Sequence, residues 1–248
     1  MTNFKIKLAE TVIFAECIYE STKKFCQDFL IECDKADISI KITEEDIELE
    51  QKKAAREQEL DGLLPSVFPS AYLETLALYR KIAEEIIDFD TLLFHGSALA
   101  IDGNGYIFTA KSGTGKSTHS RLWREAFGDR VVMINDDKPL IKITEKGPVI
   151  YGTPWCGKHN LGGNLSAPLS AIVSLERSDV NKIEPADKRI LFPKILSQTY
   201  RTKNPKSLAK TLALVDKMLN SISLYSLGCN MNLEAAKVAY EGMIGEKK

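Results

Sequence analysis

The chain has 248 residues, 44% of them hydrophobic and 27% charged, which suits an ordinary globular protein and excludes disordered, collagenous and membrane-embedded compositions. Its 33 basic and 34 acidic residues leave a formal net charge of −1, so no global field recruits nucleic acid or an anionic membrane. The N-terminus lacks the apolar core of a signal peptide and no window approaches the roughly 18 apolar residues of a membrane helix, so a cytoplasmic protein is expected.

From the N-terminus, short alternating runs at 4–8, 11–18, 38–42 and 47–49 predict strands of an antiparallel meander with one face exposed. The charged run at 50–57 is expected as a solvated strand end or surface turn. Gly62, Pro65 and Pro69 then punctuate the chain, so residues 1–69 read as a small β-rich section and 70–248 as the main domain. Ser70 suits an N-cap, and apolar residues from Leu73 to Ile87 recur at helical spacing, which predicts a helix over 70–88.

An apolar strand over 92–101, containing His95, leads through the turn Asp102-Gly103-Asn104-Gly105 into a second strand at 106–109. This hairpin delivers the chain into a glycine-rich loop. Beyond it the pattern predicts a helix at 117–127, a strand at 130–134, a hairpin of 140–143 with 149–151, and a buried strand at 169–175. The last third reads as helices at 190–197, 207–219 and 233–243, with a strand at 222–227. Five cysteines without a C-x-x-C pair fit neither a disulfide framework nor a zinc site.

The loop Ala110-Lys111-Ser112-Gly113-Thr114-Gly115-Lys116-Ser117 lies between a strand and a helix, where backbone N–H groups and a helix N-terminus can wrap a phosphate. Gly113 and Gly115 admit close backbone approach, Lys116 reaches the β- and γ-phosphates, and the Ser117 hydroxyl suits Mg²⁺. Ser112, Thr114 and Thr118 complete the expected phosphate-binding set. Ala110 stands where the common form of this loop has glycine, which is tolerable only if its φ stays negative. About twenty residues on, a strand ends in Asp136-Asp137; repulsion separates their pKa values, so one can hold Mg²⁺ and the other accept a hydroxyl proton.

In order and spacing, His95-Gly96-Ser97-Ala98, then Ser112 to Thr118, then Asp136-Asp137 resemble the phosphoenolpyruvate carboxykinase-like kinases, whose protein-kinase branch is the bacterial HPr kinase/phosphorylase. The resemblance covers roughly 92–177. It implies an α/β fold with a mixed central sheet of the carboxykinase type and a P-loop, beside the small N-terminal β-rich section. It also implies that His95 lies near the transferred phosphoryl group or a second metal, that Asp137 with Ser117 holds the divalent ion, and that Asp136 is the general base.

The segment 152–160 has the glycine, aromatic and basic content of a loop that closes over substrate, with Lys158 placed to neutralise developing charge and Arg177 as a second cation. The expected activity is ATP- and Mg²⁺-dependent phosphoryl transfer to a hydroxyl of a protein, a peptide or a small metabolite. A nucleotide-binding module without turnover is the alternative, and a phosphatase or phosphorylase running the transfer backward is a third. Nucleic-acid and membrane partners are not expected; homo-oligomer formation is compatible with the sequence.

Overall fold

The computed structural model describes residues 1–60, 62–111 and 113–245, and it divides into two compact units, Met1–Phe89 and Asp90–Lys248. In the first, β1 (Thr2–Leu8) and β2 (Thr11–Cys17) pair antiparallel through a two-residue turn. Ala9 and Glu10 both take positive φ there, 45° and 65°, the conformation that matches the twist of a tight hairpin. The chain continues through α1 (Glu20–Phe25) to β3 (Ile38–Lys41), which pairs with β2 in parallel. The expected meander is therefore corrected: the third strand returns by a crossover.

A larger correction follows. The run at 47–49, expected as a strand, and the charged run at 50–57, expected as a strand end or turn, both lie inside α2 (Glu44–Leu60). A reciprocal cap starts this helix. Thr43 N–H donates to Asp46 Oδ2 at 3.0 Å, and Asp46 N–H donates back to Thr43 Oγ1 at 3.4 Å. Three acidic residues in the first turn favour the positive end of the helix dipole, and Glu, Gln, Lys and Ala continue it as good helix formers.

The next helix, α3 (Ser70–Glu85), has Pro69 at its N-cap position with no side-chain cap, so Ser70 is its first residue rather than its cap. α3 packs on α2 across an ionic seam in which Arg80 meets Asp46 at 3.0 Å and Glu50 at 2.6 Å. Glu74 on α3 is wholly buried, and its carboxylate accepts from the backbone N–H of Ile18 (2.5 Å) and Tyr19 (3.1 Å) and from the Thr22 hydroxyl. A buried charge is stable only when saturated in this way. These contacts put α3 with the N-terminal compact unit, which ends at Phe89.

The second unit is built on a nine-stranded mixed sheet. It runs through β4 (Thr91–Leu93), β5 (Ser97–Ile101), β6 (Asn104–Thr109), α4 (Lys116–Phe127), β7 (Val131–Asn135), β8 (Leu140–Thr144), β9 (Gly147–Tyr151) and β10 (Ser166–Arg177). β11 (Lys182–Pro185), α5 (Lys188–Gln198), α6 (Pro205–Leu219), β12 (Ser223–Cys229) and α7 (Glu234–Gly245) complete it. The spatial order is β4-β8-β9-β10-β6-β5-β7, with β12 pairing both β10 and β11.

β10 pairs in parallel with β6 and β12, and β7 runs the same way because both it and β6 are antiparallel to β5. Thr109, Arg177, Cys229 and Asn135 therefore end at one carboxyl edge, where open α/β sheets place their ligands.

The expected continuous strand over 92–101 is broken. β4 and β5 lie in separate parts of the sheet, and His95 and Gly96 form the crossing between them. A Cβ on Gly96 would lie 3.0 Å from the Phe94 ring, from Ile107 and from the Phe108 carbonyl, so only glycine passes at this point without displacing a neighbour. The backbone bonds of the crossing leave the ladder, His95 N–H for Gln198 O at 2.8 Å and Gly96 N–H for Asp137 O at 3.1 Å.

Behind the edge, α4 and α7 cover a core of Leu99, Tyr106, Phe108, Trp123, Val173 and Leu227. Trp123 is fully buried, with ring contacts to Tyr106, Phe108, Phe127 and Tyr240 at 5.3–5.8 Å between centroids. Among the described residues no helix is long and apolar enough to cross a membrane.

Candidate functional site

At the carboxyl edge, β6 releases the chain at Thr109 and α4 takes it up at Lys116. Between them Lys111 O accepts from Thr114 N–H at 3.2 Å, and Gly113 and Gly115 take φ of 75° and 118°. Ala110 keeps out of the positive-φ region, which is the condition its Cβ requires. Gly115 occupies the N-cap position and brings no side-chain cap, and the first turn of α4 carries no acid. The leading N–H groups are thus left without a carboxylate, and Lys116 puts a cation where the helix dipole is already positive. A helix that starts this way is less stable alone than one starting with an acid, and it is suited to receive an anion.

His95, Gly113, Gly115, Lys116, Ser117, Thr118, Asp136, Asp137 and Lys158 line one cleft of about 470 Å³. Their sources are the β4–β5 crossing, the glycine loop, the first turn of α4, the end of β7 and the 152–165 loop. Thr114 lines an adjoining cavity instead, and Ser112 lies outside the described residues.

Asp136 is 6% exposed, and its Oδ1 accepts from Ser97 Oγ at 2.6 Å and from Ser120 Oγ at 3.1 Å. Both hydroxyls converge on one oxygen, and Asp136 lines the cleft. Asp137 Oδ1 lies 3.3 Å from His95 Nε2 and 3.6 Å from Lys138 Nζ. Asn135 fixes the turn that carries both acids: its Oδ1 accepts from the N–H of Asp137 (2.9 Å) and of Lys138 (2.6 Å). Its Nδ2 in turn donates to Thr153 Oγ1 at 3.0 Å.

Burial pushes the His95 imidazole down to about 4, and the ammonium groups of Lys138 and Lys116 push the same way. The ring is therefore neutral at neutral pH, and its approach to Asp137 is not an ion pair. Burial raises the Asp137 carboxyl above its ordinary range against the opposing pull of Lys138 and Lys116. Burial lowers Lys116, partly offset by Asp137, and its ammonium donates to the Ala110 carbonyl at 3.2 Å. Among the described residues no group of three or more His, Cys, Asp and Glu is arranged to hold a metal ion. Ser117 and Asp137, the pair expected to hold Mg²⁺, both line the cleft.

Lys158 is exposed at the cleft, on a loop whose start is buried from Gly152 to Cys156, with Trp155 packed inside. Arg177, expected beside the reacting group, does not line the cleft. Its Nη2 donates to the Gly113 carbonyl at 2.6 Å, so it braces the glycine loop from the β10 side.

Ser120 and Lys138 are the residues that sequence reading passed over. Ser120 stands four residues after Lys116 on α4, a spacing that returns a side chain to the same helix face. Lys138 follows the acid pair directly.

No protein-family model matches the chain, and comparison with curated protein sequences gives no match. Among solved structures the chain is similar to the Hpr(Ser) kinase/phosphatase from Coxiella burnetii, with 13% identity and a TM-score of 0.35 over 63% of this chain and 99% of that one. At that score the residues of the cleft, and not the likeness, carry any functional assignment.

Proposed function

We propose that the unit Asp90–Lys248 is an ATP- and Mg²⁺-dependent phosphotransferase acting on a hydroxyl of a protein, a peptide or a small metabolite. The observation that carries this reading is the single cleft at the carboxyl edge of the sheet, which gathers the acid-free start of α4, Lys116, Ser117, the acid pair and Lys158. The P-loop reading of residues 110–117 belongs to this proposal.

In this scheme the N–H groups of Gly115 to Ser117 and the Lys116 ammonium bind the terminal phosphates. Ser117 and Asp137 would hold Mg²⁺, whose charge offsets that of the phosphate oxygens in the transition state. The acceptor hydroxyl gives its proton to the Asp136 carboxylate as its oxygen bonds to the γ-phosphorus, and the bond from that phosphorus to the β–γ bridging oxygen breaks to release ADP. Ser97 and Ser120 hold Asp136 in place for this step. Neutral His95 packs beside Asp137 and orients it, and Lys158 balances charge on the moving phosphoryl group. Arg177 contributes by bracing Gly113. Catalysis is then chiefly positioning and electrostatics, as phosphoryl transfer requires.

The test is calorimetric titration of Mg·ATP into the wild type and Lys116→Ala, with mass spectrometry for ADP in the presence of serine peptides and hydroxylated metabolites. Binding by the wild type, a loss of at least about tenfold in the variant, and ADP formation are expected. Binding without ADP from any acceptor would replace the enzyme with a nucleotide-binding module. No binding by the wild type would remove the phosphate site altogether.

A further inference from the structure

From Lys188 to Val215 the chain has seven lysines and arginines and no aspartate or glutamate, in a protein whose formal net charge is −1. The rest of the chain therefore carries an excess of acid. Three of the seven cations are matched: Lys188 with Asp216 at 2.6 Å, Lys194 with Glu176 at 2.8 Å and Lys210 with Asp90 at 3.1 Å. The side chains of Arg189, Arg201, Lys203 and Lys206 are exposed and have no ionic or hydrogen-bonding partner among the described residues.

Arg201, Lys203 and Lys206 fall within six residues, on the connection from α5 to the first turn of α6. Like charges this close repel one another, and no acid of the described residues offsets the cost. The start of α6 adds to the same field. Asn204 caps it, with Oδ1 accepting from the N–H of Lys206 at 2.9 Å and of Ser207 at 3.4 Å, but its first turn holds no acid. Lys206 thus puts a cation at the positive end of the helix dipole, as Lys116 does in α4.

This basic connection begins at the wall of the cleft. Phe94 and Thr199 form an antiparallel bridge, His95 N–H donates to Gln198 O at 2.8 Å, and Tyr200 N–H donates to Leu93 O at 2.9 Å. The segment is therefore fastened to the crossing that carries His95 into the cleft. Arg201 and Lys203 follow Gln198 by three and five residues, which limits them to about 11 and 18 Å of chain from that point. An extended acceptor chain, rising about 3.3 Å per residue, covers those spans in about three to six residues.

We propose that Arg201, Lys203 and Lys206 form a docking surface for the phosphoryl acceptor, and that this acceptor is a peptide segment with acidic residues about three to six positions from its reacting hydroxyl. The inference rests on the phosphotransferase reading of the cleft and selects a peptide over a small metabolite. A short acidic segment is favoured over nucleic acid because the chain as a whole is not basic, with a pI of about 6.4, and its acidic remainder repels a long polyanion.

Fluorescence anisotropy with a labelled serine peptide bearing glutamates at those spacings, and with its glutamine counterpart, tests the surface on the wild type and on Arg201→Gln/Lys203→Gln/Lys206→Gln. The three positions are exposed and none lines the cleft, so the fold and the affinity for Mg·ATP are expected to be unchanged in the variant. The wild type is expected to bind the acidic peptide at least tenfold more tightly than the glutamine peptide, by a margin that shrinks as salt is raised. The triple variant is expected to lose that margin. Equal affinities of the wild type for the two peptides, or an unchanged margin in the variant, would overturn the docking surface. Equally tight binding of a DNA duplex, lost in the same variant, would overturn it in favour of a general polyanion site. Adding Mg·ATP separates the two readings. Peptide bound as expected with no ADP formed would remove the phosphotransferase and leave an acidic-peptide surface, whereas ADP formed equally fast from both peptides would remove the docking surface and leave the phosphotransferase.

Discussion

Asp136 and Asp137 are adjacent in sequence and opposite in environment. Asp136 is nearly buried and held by two hydroxyls, whereas Asp137 shares the cleft with His95 and two lysines. That difference supports separate duties in the proposed reaction. Asp136→Asn keeps the shape of the side chain and lets Ser97 and Ser120 reorient, but it removes the proton acceptor. Phosphoryl transfer is expected to fall by about 100-fold or more while Mg·ATP affinity changes by less than about threefold. Steady-state kinetics paired with calorimetry measure the two quantities separately, and an equal loss in both would assign Asp136 to binding instead of proton transfer. The acid pair itself was legible in the sequence because it follows a strand at a suitable distance from the glycine loop. The two serines were not legible as its partners, since Ser97 and Ser120 come from a strand and a helix that only the folded sheet brings together.

At the scale of elements, the loop after β9 shows what a glycine pattern does and does not disclose. Its composition reads as mobile, yet Gly152 is buried, and a Cβ there would lie 1.8 Å from the Gly163 carbonyl and 2.8 Å from that of Ile134. Gly162, at φ 148°, is equally close to β7: its Cβ would meet Ile134 O at 2.6 Å. The loop is thus fastened to the end of β7 at its start and its close, and Lys158 sits on the exposed stretch between. Gly152→Ala should push the start of the loop away from Gly163 and the end of β7, lowering the thermal midpoint by several degrees and turnover with it. Gly163→Ala is the control, because its Cβ meets nothing within 4 Å and φ is not positive. Differential scanning calorimetry and kinetics on the two variants settle the matter, and equal behaviour would mean that close approach at Gly152 is unimportant. Periodicity located α4, the β5–β6 hairpin and the three C-terminal helices, because each is a local pattern. It failed at 47–57, where the Thr43–Asp46 cap was the overlooked helix signal, and at His95, whose strand is broken by crossing geometry that no local pattern encodes.

At the scale of the whole molecule, the N-terminal unit adds to its apolar core an electrostatic seam that the acid limb of a stability curve can read. Burial pushes the Asp46 carboxyl up, but hydrogen bonds from Lys81, the Thr43 backbone, Arg80 and the Thr43 hydroxyl outweigh it and hold the group at about 2, against 3.8 for the free side chain. Asp46 is only 13% exposed, so solvent screens this seam little. The folded pKa is depressed, so the unfolded chain binds the proton first. The stabilisation is complete above pH 3.8 and is lost as pH falls toward 2, with a total of about 2 kcal/mol. Both tryptophans, Trp123 and Trp155, lie in the second unit, so fluorescence is blind to this loss. Hydrogen exchange of peptides spanning 44–85 is the suitable probe. Protection there should drop between pH 4 and pH 2 in the wild type after correction for intrinsic exchange rates, and Asp46→Asn should start lower and change little over the same interval. A wild-type profile as flat as the variant's would show that the seam joining α2 to α3 is held by packing, with Asp46 contributing nothing measurable.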